Sequence, residues 1–244
     1  MFIVACGGDA RNSPPGGGGA SASPADAPAS GTPARAAGSG ERKIVLFVGT
    51  SLTAAMGLDP EQGYPARLQE KIDSAGLPFE VVNAGVSGEI SSEARQRVEK
   101  WLVKQPFDVL VVETGANDML RGFSLPNLER NLQAIVDTAR ATHPEARIVL
   151  AGMLAPPNLG ADYGERFQRV YAEVAERNDL PLVPFLLDGV GGLPEMNLGD
   201  GIHPNPAGHR RVAENVWPVL EPVLRAEAAE AGGSSSAAGD SSTP

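Results

Sequence analysis

Lys43-Ile44-Val45-Leu46-Phe47-Val48 runs directly into Gly49-Thr50-Ser51-Leu52-Thr53, and this stretch decides the fold. After Lys43 the run is aliphatic, aromatic and β-branched without polar alternation, the pattern of a parallel strand covered on both faces. Similar short runs recur at Phe79–Asn83, Asp108–Glu113, Arg147–Met153 and Leu182–Phe185. Helical stripes separate them. Leu68 and Ile72 mark a short helix, Leu125, Leu128, Leu132, Ile135, Val136 and Ala139 a longer one, and Tyr163, Phe167, Val170, Tyr171 and Val174 a third. A last helix starts after Pro206 and carries Val212, Val216 and Leu220, with Pro218 and Pro222 expected to kink or subdivide it. Ser124 is the expected N-cap of the longer helix. Alternating strands and helices imply an α/β protein, a three-layer α/β/α sandwich with a central, mostly parallel five-stranded sheet and right-handed crossovers. Ligands in such folds sit at the carboxyl ends of the strands.

Outward from this domain, which spans 42–225, the composition changes. The chain of 244 residues holds 29 Gly and 21 Pro, and most of the excess lies at the two ends. Residues 7–41 are Gly, Ala, Pro and Ser with scattered charges and no hydrophobic period, which predicts a disordered tether spanning roughly 30–35 Å. Residues 226–244 read as a disordered tail. Residues 1–6 end in Ile3-Val4-Ala5-Cys6, which resembles the lipobox of bacterial lipoproteins and makes Cys6 the expected lipidation site. The basic n-region and most of the apolar h-region of a signal peptide do not precede it, as expected if translation starts further upstream. The expected location is the bacterial cell envelope, with the domain anchored to the membrane through Cys6; the alternative is a cytoplasmic protein with an incidental cysteine.

Thirty acidic against 20 basic side chains give a net charge of −10, which argues against a nucleic-acid partner. A single cysteine excludes a disulfide framework and a cysteine-rich zinc site. Histidine chemistry must choose among His143, His203 and His209.

The segments after the strands carry the chemistry. Strand one ends in Gly49-Thr50-Ser51, strand two leads to Asn83-Ala84-Gly85-Val86-Ser87-Gly88, strand three to Gly115-Ala116-Asn117-Asp118, and the last helix is preceded by Asp200-Gly201-Ile202-His203-Pro204. Together they supply a hydroxyl, glycine amides, a side-chain amide and an Asp/His pair, the parts of an acyl-transfer site. A serine hydroxyl becomes nucleophilic when an imidazole takes its proton, and a carboxylate fixes that imidazole's tautomer. Asp200 and His203, three apart in a loop, can place the carboxylate against Nδ1 and leave Nε2 for Ser51. The Ser51 N–H, the Gly88 N–H and the Asn117 amide are the candidate oxyanion donors.

These four segments resemble, in order, the four blocks of the SGNH (GDSL-type) hydrolase superfamily, and the run from Lys43 to Leu224 is similar to its bacterial thioesterase I/lysophospholipase/arylesterase branch. Asn117-Asp118-Met119-Leu120-Arg121-Gly122-Phe123 and Asp200-Gly201-Ile202-His203-Pro204-Asn205 add to the likeness. The resemblance implies a flavodoxin-like fold, Ser51 as nucleophile, Gly88 and Asn117 as oxyanion donors, His203 as general acid/base, Asp200 as its partner, and no cofactor or metal. It implies an acyl ester, thioester or lipid as substrate. One departure stands out: Thr50 occupies the place of the aspartate in Gly-Asp-Ser-Leu.

Other readings compete. Ser51 alone is a polar residue in a βα turn. His203, His209 and Asp200 are metal-ligand types, although the two histidines lack helical i, i+4 spacing. His143 before Pro144 reads as structural, His209 as exposed, and Glu113 as a buried hydrogen-bonded carboxylate. A flavodoxin-like, non-catalytic binding module would use the Thr50–Thr53 loop for phosphate but leaves Asn117, Asp200 and His203 unexplained. An α/β-hydrolase is disfavoured because Ser51 follows the first strand and Thr53 replaces the last glycine of G-x-S-x-G. A carbohydrate O-acetyl esterase is the alternative within the superfamily. Leu154–Asp162 is expected to border the acyl-binding groove, and a monomer is expected.

Overall fold

The computed structural model describes residues 42–236, with side chains for 42–230. The lipobox at Cys6, the tether at 7–41 and residues 237–244 lie outside the described residues. The strands are β1 (Lys43–Gly49), β2 (Phe79–Gly85), β3 (Val109–Glu113), β4 (Arg147–Ala151) and β5 (Leu182–Val183). They form one sheet in the order β2-β1-β3-β4-β5, and every adjacent pair is parallel. The fold expected from the strand pattern is therefore present, with β5 shorter than the run at 182–185 suggested.

The helices are α1 (Tyr64–Ser74), α2 (Ser91–Lys100), α3 (Ala116–Leu120), α4 (Leu125–Thr142), α5 (Ala161–Arg177) and α6 (Pro206–Ser236). α1 packs with α6, and α4 packs with α2 and α5, giving a helical group for each face of the sheet. The stripes read from sequence are the buried faces: Leu68 and Ile72 on α1, Leu128, Leu132, Ile135 and Val136 on α4, Phe167, Val170, Tyr171 and Val174 on α5. β1 and β3 are buried nearly throughout, as their unbroken apolar runs require. Among the described residues, no helix is long and apolar enough to cross a membrane.

The structure adds to these expectations and corrects some of them. α2 and α3 had no visible stripe. On α2 only Ser91, Ala94 and Val98 are buried, so the helix is polar over most of its surface. Its start is fixed by side chains instead: Glu93 accepts the Ile90 amide at 3.0 Å, and Asp118 accepts the Ser91 amide at 2.7 Å and its hydroxyl at 2.6 Å. Ser124 is the N-cap of α4, as expected, and makes no side-chain capping bond. Pro218 and Pro222 do not divide α6. Both prolines, and Glu214, lie on its exposed side, so the carbonyls that lose an intrahelical partner, those of Glu214 and Pro218, fall where water can reach them.

A further correction concerns 226–244. α6 continues through Ser236, so the disordered tail does not begin at 226. Glu227, a turn beyond Leu224, is buried against the sheet, where it pairs with Lys43 of β1 and, at 3.0 Å, with Arg147 of β4. Lys43 and Arg147 open their strands, so this pair of ion pairs ties the last helix to the amino-terminal edge of the sheet. Ending the chain at Arg225 should lower the unfolding free energy by about 1–3 kcal/mol, because it leaves two partly buried cations unpaired. Urea unfolding of the shortened and full chains checks this, with Glu227→Gln expected to reproduce most of the loss.

Candidate active site

The turn that follows β1 is built by close approach. A Cβ on Gly49 would sit 1.9 Å from Thr53 Oγ1 and 2.8 Å from Glu113 Oε2, and one on Gly85 would meet the Ala54 amide nitrogen at 2.4 Å. Only glycine admits these contacts. Val86 N–H donates to the Gly49 carbonyl at 2.8 Å and Asn83 Nδ2 to the Thr53 carbonyl at 2.8 Å, so the end of β2 clasps the turn from one side. From the other side comes β3, where Val48 lies in register with Val112. Ser51 sits between, half-buried.

His203 reaches this turn from the loop before α6. Asn205 closes that loop, accepting the Ala207 and Gly208 amides at 2.9 and 3.0 Å and so capping α6. Leu198 N–H bonds the His203 carbonyl at 2.7 Å, and Gly201, at φ +70°, makes the tight bend between Asp200 and His203. His203 Nε2 lies 3.0 Å from Ser51 Oγ, and its Nδ1 lies 2.7 Å from Asp200 Oδ2. Asp200 Oδ1 also accepts the Ile202 and His203 amides at 2.9 and 3.0 Å. The bond from the His203 ring, followed by these two amides, holds the Asp200 carboxyl well below the usual carboxylate range, although its side chain is exposed. With an ionised partner on Nδ1, the neutral ring carries its hydrogen there and turns a lone pair on Nε2 toward Ser51.

Gly88 belongs to the loop after β2 and Asn117 to the first turn of α3, which follows β3; β2 and β3 are the two strands flanking β1. Asn117 Nδ2 donates to the Glu89 carbonyl at 2.9 Å and Arg121 Nη2 to the Gly88 carbonyl at 2.7 Å, so the loop after β2 is bound to α3 and the residue that ends it. Gly88 has φ +79°. Glu89, which the sequence reading passed over, is buried and held by a two-pronged pair with Arg97 at 2.7 Å on each oxygen. Among the described hydrogen bonds, none joins the Gly88/Asn117 pair to Ser51, His203 or Asp200. The structure thus links the first three residues directly and brings the other two to the same sheet edge.

Glu113 is fully buried and hydrogen-bonded, as read from the sequence. Burial pushes its carboxyl upward against the opposing pull of the Thr50 and Thr53 donors. His143 caps the end of α4 and stacks on Phe107 at 3.9 Å between ring centroids. His209 is not exposed; it is 1% accessible, stacks on Tyr64, and accepts the Tyr64 amide on Nδ1 at 3.2 Å. The Asp200, His203 and His209 side chains, weighed as a metal set, do not form a ligand cluster. A cleft of about 590 Å³ between α1 and α6 is lined by Arg67, Lys71, Trp217 and neighbours; Ser74, which also lines it, has its hydroxyl engaged by the Glu70 carbonyl.

Residues 47–211 match the GDSL-like lipase/acylhydrolase family. The chain belongs to this family. It is 43% identical over 180 residues to esterase TesA of Pseudomonas aeruginosa, covering 74% of this chain and 89% of that one. Thioesterase 1/protease 1/lysophospholipase L1 of Escherichia coli is 32% identical over 180 residues, covering 74% and 84%. The crystal structure of the esterase EstA from Pseudoalteromonas sp., inhibited by monoethylphosphonate, superposes with a TM-score of 0.69 at 29% identity, covering 75% of this chain and 99% of that one. The protein is a carboxylic-ester hydrolase of the SGNH type, and the alternative of a non-catalytic binding module falls.

Burial, and then the electrostatic influence of the neighbouring His203 and Arg67, lower the His209 pKa to about 4. The unfolded chain binds this proton near pH 6.5 and the folded chain only near 4. The contribution of His209 to stability is therefore fully present above pH 6.5 and declines as pH falls from 6.5 to 4. Thermal unfolding across this window should show the decline, and His209→Gln should flatten it.

Proposed function

We propose that the protein hydrolyses acyl esters or thioesters through an acyl-enzyme on Ser51, with His203 and Asp200 completing a catalytic triad. The observation that carries this reading is the continuous relay from Ser51 Oγ to His203 Nε2 at 3.0 Å and from His203 Nδ1 to Asp200 at 2.7 Å. His203 Nε2 takes the hydroxyl proton as Ser51 Oγ attacks the acyl carbonyl, and the imidazolium so formed is stabilised by Asp200. The tetrahedral oxyanion is met by the Ser51 N–H, the Gly88 N–H and the remaining Asn117 Nδ2 hydrogen. Collapse breaks the bond to the alcohol or thiol, which leaves with the proton from His203. A water molecule, deprotonated by His203 in turn, attacks the acyl-enzyme and releases the acid.

The substrate's acyl part is expected to run over the apolar side chains exposed at this edge of the sheet. Met56 after β1, Val86 after β2, Leu120 and Phe123 after β3, Leu159 after β4 and Ile202 beside His203 are each more than 40% exposed. Leu159 lies within Leu154–Asp162, the segment assigned to the acyl groove. A lipidated Cys6 would hold the domain at the bacterial envelope, within reach of lipid esters. Labelling of the full chain by an alkynyl fatty acid in a bacterial host, lost in Cys6→Ser, tests the anchor.

Hydrolysis of p-nitrophenyl esters from acetate to long acyl chains tests the mechanism. Ser51→Ala and His203→Ala should each lower kcat/KM by about 10³-fold or more. Asn117→Ala should lower kcat by about 10²–10³-fold, the effect of one oxyanion donor. An optimum at acetate would favour the carbohydrate O-acetyl esterase reading. Folded Ser51→Ala that retains wild-type activity overturns the triad.

A further inference from the structure

One buried carboxyl receives both sides of the Ser51 turn. Glu113, at the end of β3, accepts the Thr50 amide at 2.8 Å and the Thr50 hydroxyl at 2.9 Å, one residue before Ser51. It also accepts the Thr53 hydroxyl at 2.8 Å, two residues after Ser51. Glu113 and Thr53 are completely inaccessible and Thr50 is 1% exposed. Thr53 Oγ1 lies 2.7 Å from the Tyr64 hydroxyl. Because Thr53 gives its one hydrogen to Glu113, Tyr64 is the donor in that contact, and burial beside Glu113 keeps its phenol protonated. The chain of donors therefore runs in one direction, from Tyr64 on α1 through Thr53 to Glu113.

We propose that Glu113 is a positioning residue for the nucleophile and that Thr50, through its hydroxyl, is the partner that makes it so in this chain. This rests on Ser51 being the nucleophile. Glu113 touches no reacting atom; it fixes the backbone of Thr50 and the side chain of Thr53, and so the direction in which Ser51 Oγ faces His203. Its three donors come from two residues that bracket Ser51, and its own strand is hydrogen-bonded to β1 up to Val48. A turn released from this carboxyl keeps its substrate surface but loses the alignment of Oγ with Nε2, and misplacement by about 1 Å can cost on the order of 10²-fold in rate.

The consequence is specific. Thr50→Val preserves shape and the backbone bond while deleting the hydroxyl, and Thr50→Ser keeps the hydroxyl. In the full chain, Thr50→Val should lower kcat by about ten-fold with KM changed less than about two-fold, and should slow Ser51 labelling by a p-nitrophenyl alkylphosphonate by a similar factor. Thr50→Ser should stay within about two-fold of wild type on both readouts. Thr53→Val, which removes the hydroxyl on the other side of Ser51, carries the same test if Thr50→Val does not fold. Unchanged kcat and labelling in a folded valine variant, a rise in KM alone, or an equal loss in Thr50→Ser overturns the inference. If Ser51→Ala stays active, the nucleophile assignment itself fails; if only Ser51→Ala is inactive and the valine variants are unaffected, the loss falls on Glu113 and Thr50 alone.

Discussion

Among the described strands, β1 alone has both sheet neighbours later in the chain, with β2 on one side and β3 on the other, so the strand order reverses at β1. All three are parallel, so their carboxyl ends lie at one edge, and the residues leaving them must share a small volume. This crowding explains the glycines. Gly49 and Gly85 are fixed by atoms of the Ser51 turn that a Cβ would strike, and Gly115, at φ +111°, passes within 2.3 Å of the Tyr171 hydroxyl at its Cβ position. The sheet order, and not any one loop, sets Ser51, Gly88 and Asn117 in adjacent places. The Asp200–His203 loop is the addition from outside, brought over the edge by α6.

The fold was legible because its signal is strong where burial is complete. β1 and β3 carry unbroken apolar runs, and the buried stripes of α4 and α5 keep the 3.6-residue period over several turns. α2 was not legible because its position depends on Asp118 and Glu93 and on few apolar residues. The same cause hid the end of α6: the segment beginning AEAAEAGG reads as a linker until Lys43 and Arg147, far away in sequence, supply partners for Glu227. A solitary histidine likewise gives no sign of its surroundings. His209 was expected at the surface, and the face of α6 that carries it is the one pressed against Tyr64.

The candidate site was legible for a different reason: acyl transfer needs particular functional groups, and strand ends in a parallel sheet limit where they can be. What could not be read was how they are supported. Asp200 shows the difference. Its residue type and spacing from His203 suggest a triad carboxylate, but it is exposed, and no low-dielectric burial enforces the pairing. Instead the Asp200–His203 bend turns two backbone amides and the ring N–H onto one carboxylate. Three directed donors favour the ionised form in solvent where an isolated ion pair would be weak.

Thr50 is where the family pattern and the local chemistry meet. An ionised aspartate at this position offers only acceptors, whereas threonine has a hydrogen to give. Facing it is a buried carboxyl that already accepts the Thr50 amide and the Thr53 hydroxyl. A second carboxylate pointed at Glu113 would bring like charges together in a dry place, which requires that one of them hold a proton. A hydroxyl meets the same oxygen atoms without that condition. Threonine at position 50 therefore meets Glu113 with a hydroxyl hydrogen as well as with its backbone amide, and adds no second charge to the space beneath Ser51.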